Sequence, residues 1–167
     1  MSDLLIQKTA SISACRLFRY RLTRYWGPGP MLPFVMLNPS TADADFDDPT
    51  IRRCMSFARR EGKGGIVVVN LYALRSPSPA ILSDSPDPFG PDNGDALIDV
   101  ADYAASNGVP IICAWGTKGD IRPGRVLAIL STLRSAGAEL KCLRKTKAGH
   151  PWHPLYVRGD KELEAFS

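Results

Sequence analysis

Gly65-Ile-Val-Val-Val-Asn-Leu71 is the stretch on which the fold turns. Its four middle apolar residues are all β-branched, and such side chains favour a pleated strand over a helix. Neighbouring positions are apolar alike, so both faces of the strand are covered. That is the pattern of a central strand in a parallel sheet, not of a half-exposed edge. Upstream, Met31 to Leu37 is a second short apolar run, ending at Asn38-Pro39-Ser40-Thr41. Between the two runs, Asp48-Pro49 reads as a helix start, with Asp48 as cap and Pro49 at the first helical position. Ile51, Cys54, Met55 and Ala58 follow at helical spacing, and Gly62, Gly64 and Gly65 close the helix.

The same alternation continues downstream. Gly94 to Ser106 reads as a helix with Leu97, Ile98, Ala101 and Ala105 inward and Asp95, Asp99 and Asp102 outward. Asn107-Gly108 is a good stop for it. Ile111 to Trp115 reads as a buried strand running into Gly116-Thr-Lys-Gly119. Val126, Ile129, Leu130 and Leu133 give another helix face, and Leu140 to Leu143 a last strand. Before all of these, Cys15 to Tyr25 alternates, with Phe18, Tyr20 and Leu22 on one side and Arg19, Arg21 and Thr23 on the other. It reads as a half-exposed strand at a sheet edge. The order β, β, α, β, α, β, α, β is the grammar of an α/β fold. The expectation is a three-layer sandwich with a central, mostly parallel sheet, forming one domain over 1–167. Ser76 to Gly94, rich in Pro, Gly and Ser, reads as its longest loop, a length that often carries function.

Composition agrees with a packed core. Of 167 residues, 44% are hydrophobic and 23% charged, which excludes a disordered chain. No apolar run reaches the roughly 18 residues of a membrane helix, and Met1-Ser-Asp-Leu-Leu-Ile6 does not read as a secretory signal. The expected compartment is the cytoplasm. Cys15, Cys54, Cys113 and Cys142 include no CxxC pair, which disfavours a zinc ribbon or a dithiol motif.

The net charge of +4 permits contact with nucleic acid without demanding it. Charge is unevenly spread. Arg16 to Arg24 holds four arginines and no acid, Arg75 to Lys118 has no basic residue between its ends, and Lys118 to Lys147 sets eight bases against two acids. Such blocks give either a polarised surface or a mixed, solvated one, depending on how the fold gathers them.

Ligands of parallel α/β sheets bind at the carboxyl ends of the strands. Four segments fall there: Asn38-Pro-Ser-Thr, Asn70, Gly116-Thr-Lys-Gly and His150-Pro-Trp-His153. They are expected to converge on one cleft. Asn38 is held extended by Pro39, so it either holds a water or ligand with defined geometry or simply makes a turn. Asn70 puts a carboxamide in an apolar strand. It needs partners, in a ligand or in neighbouring backbone, and it offers both a donor and an acceptor. His150 and His153, each followed by proline, either shape a Pro-rich loop or hydrogen-bond a leaving group. A two-histidine metal site lacks an obvious third ligand. No P-loop, dinucleotide loop or G-x-S-x-G elbow is present. Cys113 lies within a strand with apolar flanks, poor surroundings for a nucleophile.

Val35 to Tyr72, with Met36-Leu-Asn-Pro-Ser-Thr-Ala-Asp43, Asp48-Pro-Thr-Ile-Arg-Arg53 and Gly65-Ile-Val-Val-Val-Asn-Leu-Tyr72, resembles a bacterial family of unknown function, DUF1643. The order of motifs is more distantly similar to the uracil-DNA glycosylase superfamily. There a strand ends in Gly-x-Asp-Pro or Gly-x-Asn-Pro, matched by Met36-Leu37-Asn38-Pro39, with Met36 where that pattern has glycine. A later strand ends in an apolar run plus Asn, matched by Val67 to Asn70. A Trp-Gly turn is matched by Trp115-Gly116, and a closing His-Pro by His150-Pro151 or His153-Pro154.

The resemblance implies a uracil-DNA glycosylase-like fold and cleavage of the N-glycosidic bond of a flipped nucleobase. By that resemblance Asn38 positions the attacking water, Asn70 reads the base edge, and His153 meets charge growing on the leaving base. Phe46 stacks on the base, and Ser40, Lys118 and Lys147 touch phosphates. No metal or cofactor is implied, and the partner is DNA or a nucleotide. Two other readings stand beside it: a non-catalytic nucleic-acid or nucleotide binder on the same fold, and a hydrolase of small nucleosides.

Overall fold

The computed structural model describes residues 5–167; the reading of the N-terminus at Met1 to Leu4 lies outside them. The described residues form an α/β fold with one seven-stranded sheet and four helices. In chain order the strands are β1 (Gln7–Ile12), β2 (Arg19–Tyr25), β3 (Met31–Met36), β4 (Gly65–Asn70), β5 (Ile111–Cys113), β6 (Leu140–Cys142) and β7 (Glu164–Ala165). The helices are α1 (Pro49–Arg60), α2 (Ala80–Asp84), α3 (Asn93–Asn107) and α4 (Arg125–Ser135). Among the described residues, no helix is long and apolar enough to cross a membrane.

The sheet order is β1-β2-β4-β3-β5-β6-β7. The inner run β4-β3-β5-β6 is parallel throughout. β1, β2 and β7 join it antiparallel. The sheet is therefore mixed, which corrects the expectation of a mostly parallel one. The excess comes from the outer strands. The sequence pattern hides β1, because its residues alternate between exposed and half-buried with no apolar face. Main-chain pairing with β2, not burial, holds it. β7 is two residues long, too short for any periodicity to mark.

Side-chain parity divides the core into two layers. In β4, Ile66 and Val68 pack with Phe34, Met36 and the α1 residues Ile51, Cys54, Met55 and Ala58. Val67 and Val69 pack on the opposite side with Leu97, Val100 and Ala101 of α3 and Ile129, Leu130 and Leu133 of α4. Asp48 caps α1 as expected, its Oδ1 accepting from Ile51 N at 2.9 Å. In α3 the buried face is rotated from the expected one. Val100 and Ala104 are buried, whereas Ile98 is 47% exposed and Ala105 is exposed. Leu97 and Ala101 keep their expected places.

β2 also departs from its reading. It starts at Arg19, because Ser13 to Leu17 turn back toward β1: Ser13 Oγ accepts from Phe18 N at 3.1 Å. It is an inner strand, covered by β1 on one side and β4 on the other. Arg19 and Arg24 are both buried in it, although arginines on an alternating strand read as solvent-facing. Arg24 is spent within the fold: Nε donates to Asp47 Oδ1 at 2.6 Å, and the Nη groups donate to Thr23, Asp43 and Phe46 carbonyls. It thereby fixes the segment that leads into Asp48 and α1.

β3 is the first strand in the chain to join the parallel run. The chain passes through α1 to β4 on one side of it, then crosses through α3 to β5 on the other. The carboxyl ends of β3 and β5 flank this change of direction, the place where such sheets leave a crevice.

Candidate functional site

A cavity of about 480 Å³ opens at that crevice. This is within the usual size range for a small-molecule site. Asn38 and Ser40 follow β3 into it, Asn70 ends β4, Trp115 and Lys118 follow β5, and His153 comes from the C-terminal loop. A larger groove of about 920 Å³ lies elsewhere, between the outer strands and α3. It holds none of these residues.

Asn38 has a fixed orientation. Its Nδ2 faces three carbonyls, those of Ser76 at 3.0 Å, Pro39 at 3.2 Å and Leu74 at 3.4 Å. Only the amide nitrogen can donate to carbonyls, so this network assigns the flip and leaves Oδ1 as a free acceptor. Pro39 is buried beside it, and its carbonyl also accepts from Ser76 N at 2.9 Å. The loop after β4 thus braces the loop after β3.

Asn70 is completely buried, and neither Nδ2 nor Oδ1 has a partner. By parity it lies on the Val68 face of β4, and both residues line the cavity. Its own main chain is satisfied, since its carbonyl accepts from Asn93 Nδ2 at 3.0 Å. Two unpaired polar atoms in a closed site are unfavourable to folding. Together they amount to one unused donor and one unused acceptor.

His153 caps a short turn over Pro154–Tyr156, its Nδ1 accepting from Leu155 N at 3.2 Å. An imidazole that accepts through Nδ1 carries its proton on Nε2. Burial lowers its pKa from the ordinary 6.5, with the Asp48 carboxylate acting in the opposite sense. The ring is therefore a neutral donor at pH 7. Asp48 is the single carboxylate among the residues lining the cavity, and its cap bond leaves one oxygen over.

The C-terminal loop is tied down from α1. Arg53 donates to the carbonyls of Pro154 and Val157, and Arg60 to those of Gly159 and Lys161. From β5, Gly116 N donates to Pro151 O at 2.9 Å. Gly116 has φ +80°, a left-handed conformation that favours glycine. It lines a smaller cavity of about 250 Å³, shared with Pro151, Trp152, His153 and Tyr156. Trp115 is buried, edge-on to Phe166 with centroids 5.6 Å apart.

Five expected residues are absent from the lining of the main cavity: Pro39, buried beside Asn38, Gly116, which lines the smaller one, and Phe46, Lys147 and His150. Phe46 is 54% exposed and held outside by its own main chain: N donates to Asp43 Oδ1, and O accepts from Arg24. Lys147 is exposed on the turn that His150 closes, where Thr146 N donates to His150 O at 2.8 Å. His150 spends its main chain on that turn, so of the two histidines only His153 lines the cavity. Lining residues that the sequence did not mark as functional include Thr50, Ser76, Tyr156, Arg19 and Asp48, the last read only as a helix cap. Arg19 is the most deeply buried of the charged groups there, at 3% exposed. Burial pulls its pKa down to about 10, so it remains a cation at neutral pH.

Cys54, Cys113 and Cys142 are buried free thiols, and Cys15 is an exposed one. Burial pushes the Cys113 thiol far up, so it is no nucleophile at neutral pH.

A family model described as a protein of unknown function, DUF1643, matches residues 19–155, and the chain belongs to that family. No curated protein and no solved structure matches it.

Proposed function

We propose that this DUF1643 chain hydrolyses an N-glycosidic bond, holding a nucleobase in the cavity at the strand ends, on a uracil-DNA glycosylase-like arrangement. The observation that supports it most is the convergence of three side chains with complementary free groups. Asn38 presents a bare acceptor, Asn70 a donor and an acceptor, and His153 a neutral Nε2–H.

In this reading the base lies against Asn70, whose two amide atoms pair with its edge. Asn38 Oδ1 accepts a hydrogen bond from the attacking water and holds its oxygen toward the anomeric carbon. The carbon–oxygen bond forms as the carbon–nitrogen bond breaks, and the electron pair of the latter passes to the base. His153 Nε2–H donates to the base atom where that charge gathers. The proton released from the water ends on the departing base. An Asn is a poor base, so its part is positioning, and the charge on the leaving group carries most of the barrier.

Asn70→Asp tests the reading. A carboxylate cannot donate, so the variant loses the original base and shifts the ratio of kcat/KM between bases by about tenfold or more. A ratio unchanged from wild type removes Asn70 from base recognition.

A further inference from the structure

Arg19 stands out among the charged groups that line the cavity. Of its five N–H bonds, one has an acceptor among the described residues: Nη1 donates to Ala42 O at 2.9 Å. Its Nε is buried with no partner. No carboxylate lies within ion-pair distance of it among the described residues, in contrast to Arg24, which has Asp47 at 2.6 Å. The two arginines share one strand and comparable burial, yet only one is satisfied.

A buried guanidinium without a counterion is strongly unfavourable to folding. Elsewhere this chain spends its half-buried arginines on carbonyls: Arg53 on Pro154 and Val157, Arg122 on Leu82 and Ser85, Arg125 on Leu71. Arg19 is left short of acceptors where it lines a cavity. Other donors line the same space, the Ser40 and Thr50 hydroxyls and the Lys118 ammonium. Thr50 and Ile51 of the first turn of α1 bring its positive end, and the Asp48 carboxylate that caps it is the one negative charge in the lining that acts on Arg19. Asn70, uncharged and unpaired, lies in the same lining.

We propose that Arg19 is the anchor of an anion subsite, and that the cavity takes a free nucleoside monophosphate, its phosphate on Arg19 and its base on Asn70. This rests on the nucleobase reading above and names its substrate class. A base flipped from duplex DNA keeps its phosphates in the backbone at the cavity mouth. A free nucleotide brings its phosphate inside.

The test is a titration panel on the full chain by calorimetry. It uses inorganic phosphate, nucleosides, their 5′-monophosphates and an abasic-site oligonucleotide, with Arg19→Gln and Arg19→Lys as variants. The expected result is that wild type binds a monophosphate at least about tenfold tighter than its nucleoside. Arg19→Gln brings that ratio near one, and Arg19→Lys restores part of it. Equal affinity for nucleoside and monophosphate overturns the subsite, as does tighter binding of the oligonucleotide or no monophosphate binding at millimolar concentration. If Arg19→Gln fails to fold, the wild-type ratio decides alone. Monophosphate preference without base release in a separate assay leaves the subsite standing and removes the hydrolase. Base release without the preference does the reverse.

Discussion

In the proposed site, Asn70 trades stability for ligand binding. Each of its bare amide groups costs about 1–3 kcal/mol in a buried site. Leucine is close in size and has nothing to satisfy. Asn70→Leu should therefore unfold at equal or higher denaturant concentration than wild type while losing ligand binding. A loss of more than about 1 kcal/mol in chemical denaturation would mean that the carboxamide has structural partners after all.

His153 makes a pH prediction. The fold holds its pKa below 6.5, so the unfolded chain binds more protons as pH falls. Its contribution to stability is complete above about pH 6.5 and is lost as the pH drops through the folded pKa. Unfolding free energies at pH 7.5 and 5.5 should differ less in His153→Gln than in wild type. The Asp48 carboxylate raises this pKa. Asp48→Asn keeps a good helix cap and should lower the imidazole pKa further in an NMR titration. An unchanged value would separate the two groups.

At the level of elements, the sequence was most legible where apolar periodicity ran long. The β3 and β4 runs and the α1 cap, start and buried face all lie where the pattern placed them. Of the cavity lining, Asn38, Asn70 and Trp115 were legible because each interrupts or ends such a run, and His153 because it stands before a proline after the last strand read from the sequence. The rotated face of α3 was not, because Ile98 and Val100 are both apolar and tertiary packing chose between them. Arg19 was illegible for a different reason. Alternation places charge toward solvent, and nothing local says that a loop will close over that side.

Two elements give tests of how the cavity is held. A Cβ on Gly119 would stand 2.5 Å from Val126 Cγ2 and 2.8 Å from Trp115 Cδ1. Gly119→Ala should then cost about 1–3 kcal/mol through overpacking and shift Trp115 fluorescence. Identical stability and fluorescence would show that the two side chains yield freely. Arg53→Ala removes the tie from α1 to the turn that His153 caps. The fold should survive, with kcat falling more than KM rises. A pure loss of stability with unchanged kcat would make Arg53 a structural clasp only.

For the whole molecule, the charge pattern is the main lesson. Read as a sequence, the charge blocks, among them four arginines between Arg16 and Arg24, leave open a polarised or a mixed surface. In the fold, Arg24, Arg53, Arg60, Arg122 and Arg125 are engaged with backbone carbonyls. The net +4 is thus partly internal bracing. Binding to a mixed-sequence duplex should be weak, with an affinity that falls only shallowly with salt. A steep dependence, of the kind that about six or more neutralised phosphates produce, would instead reveal a basic face built from the exposed lysines. Topology carries the rest. The reversal of direction about β3 makes the crevice, and residues far apart in the chain meet there because each follows or ends a strand.

The central claim is that this crevice breaks an N-glycosidic bond with Asn38 holding the water. Base release measures it directly, from nucleoside monophosphates and from single- and double-stranded oligonucleotides carrying uracil, hypoxanthine or damaged bases. Wild type should release at least one base. Asn38→Ala should lower that rate by about 100-fold or more, as loss of a positioned catalytic group does, while the protein stays folded, its unfolding midpoint lowered only by the lost loop hydrogen bonds. No release from any substrate, or equal release by the variant, would contradict the account.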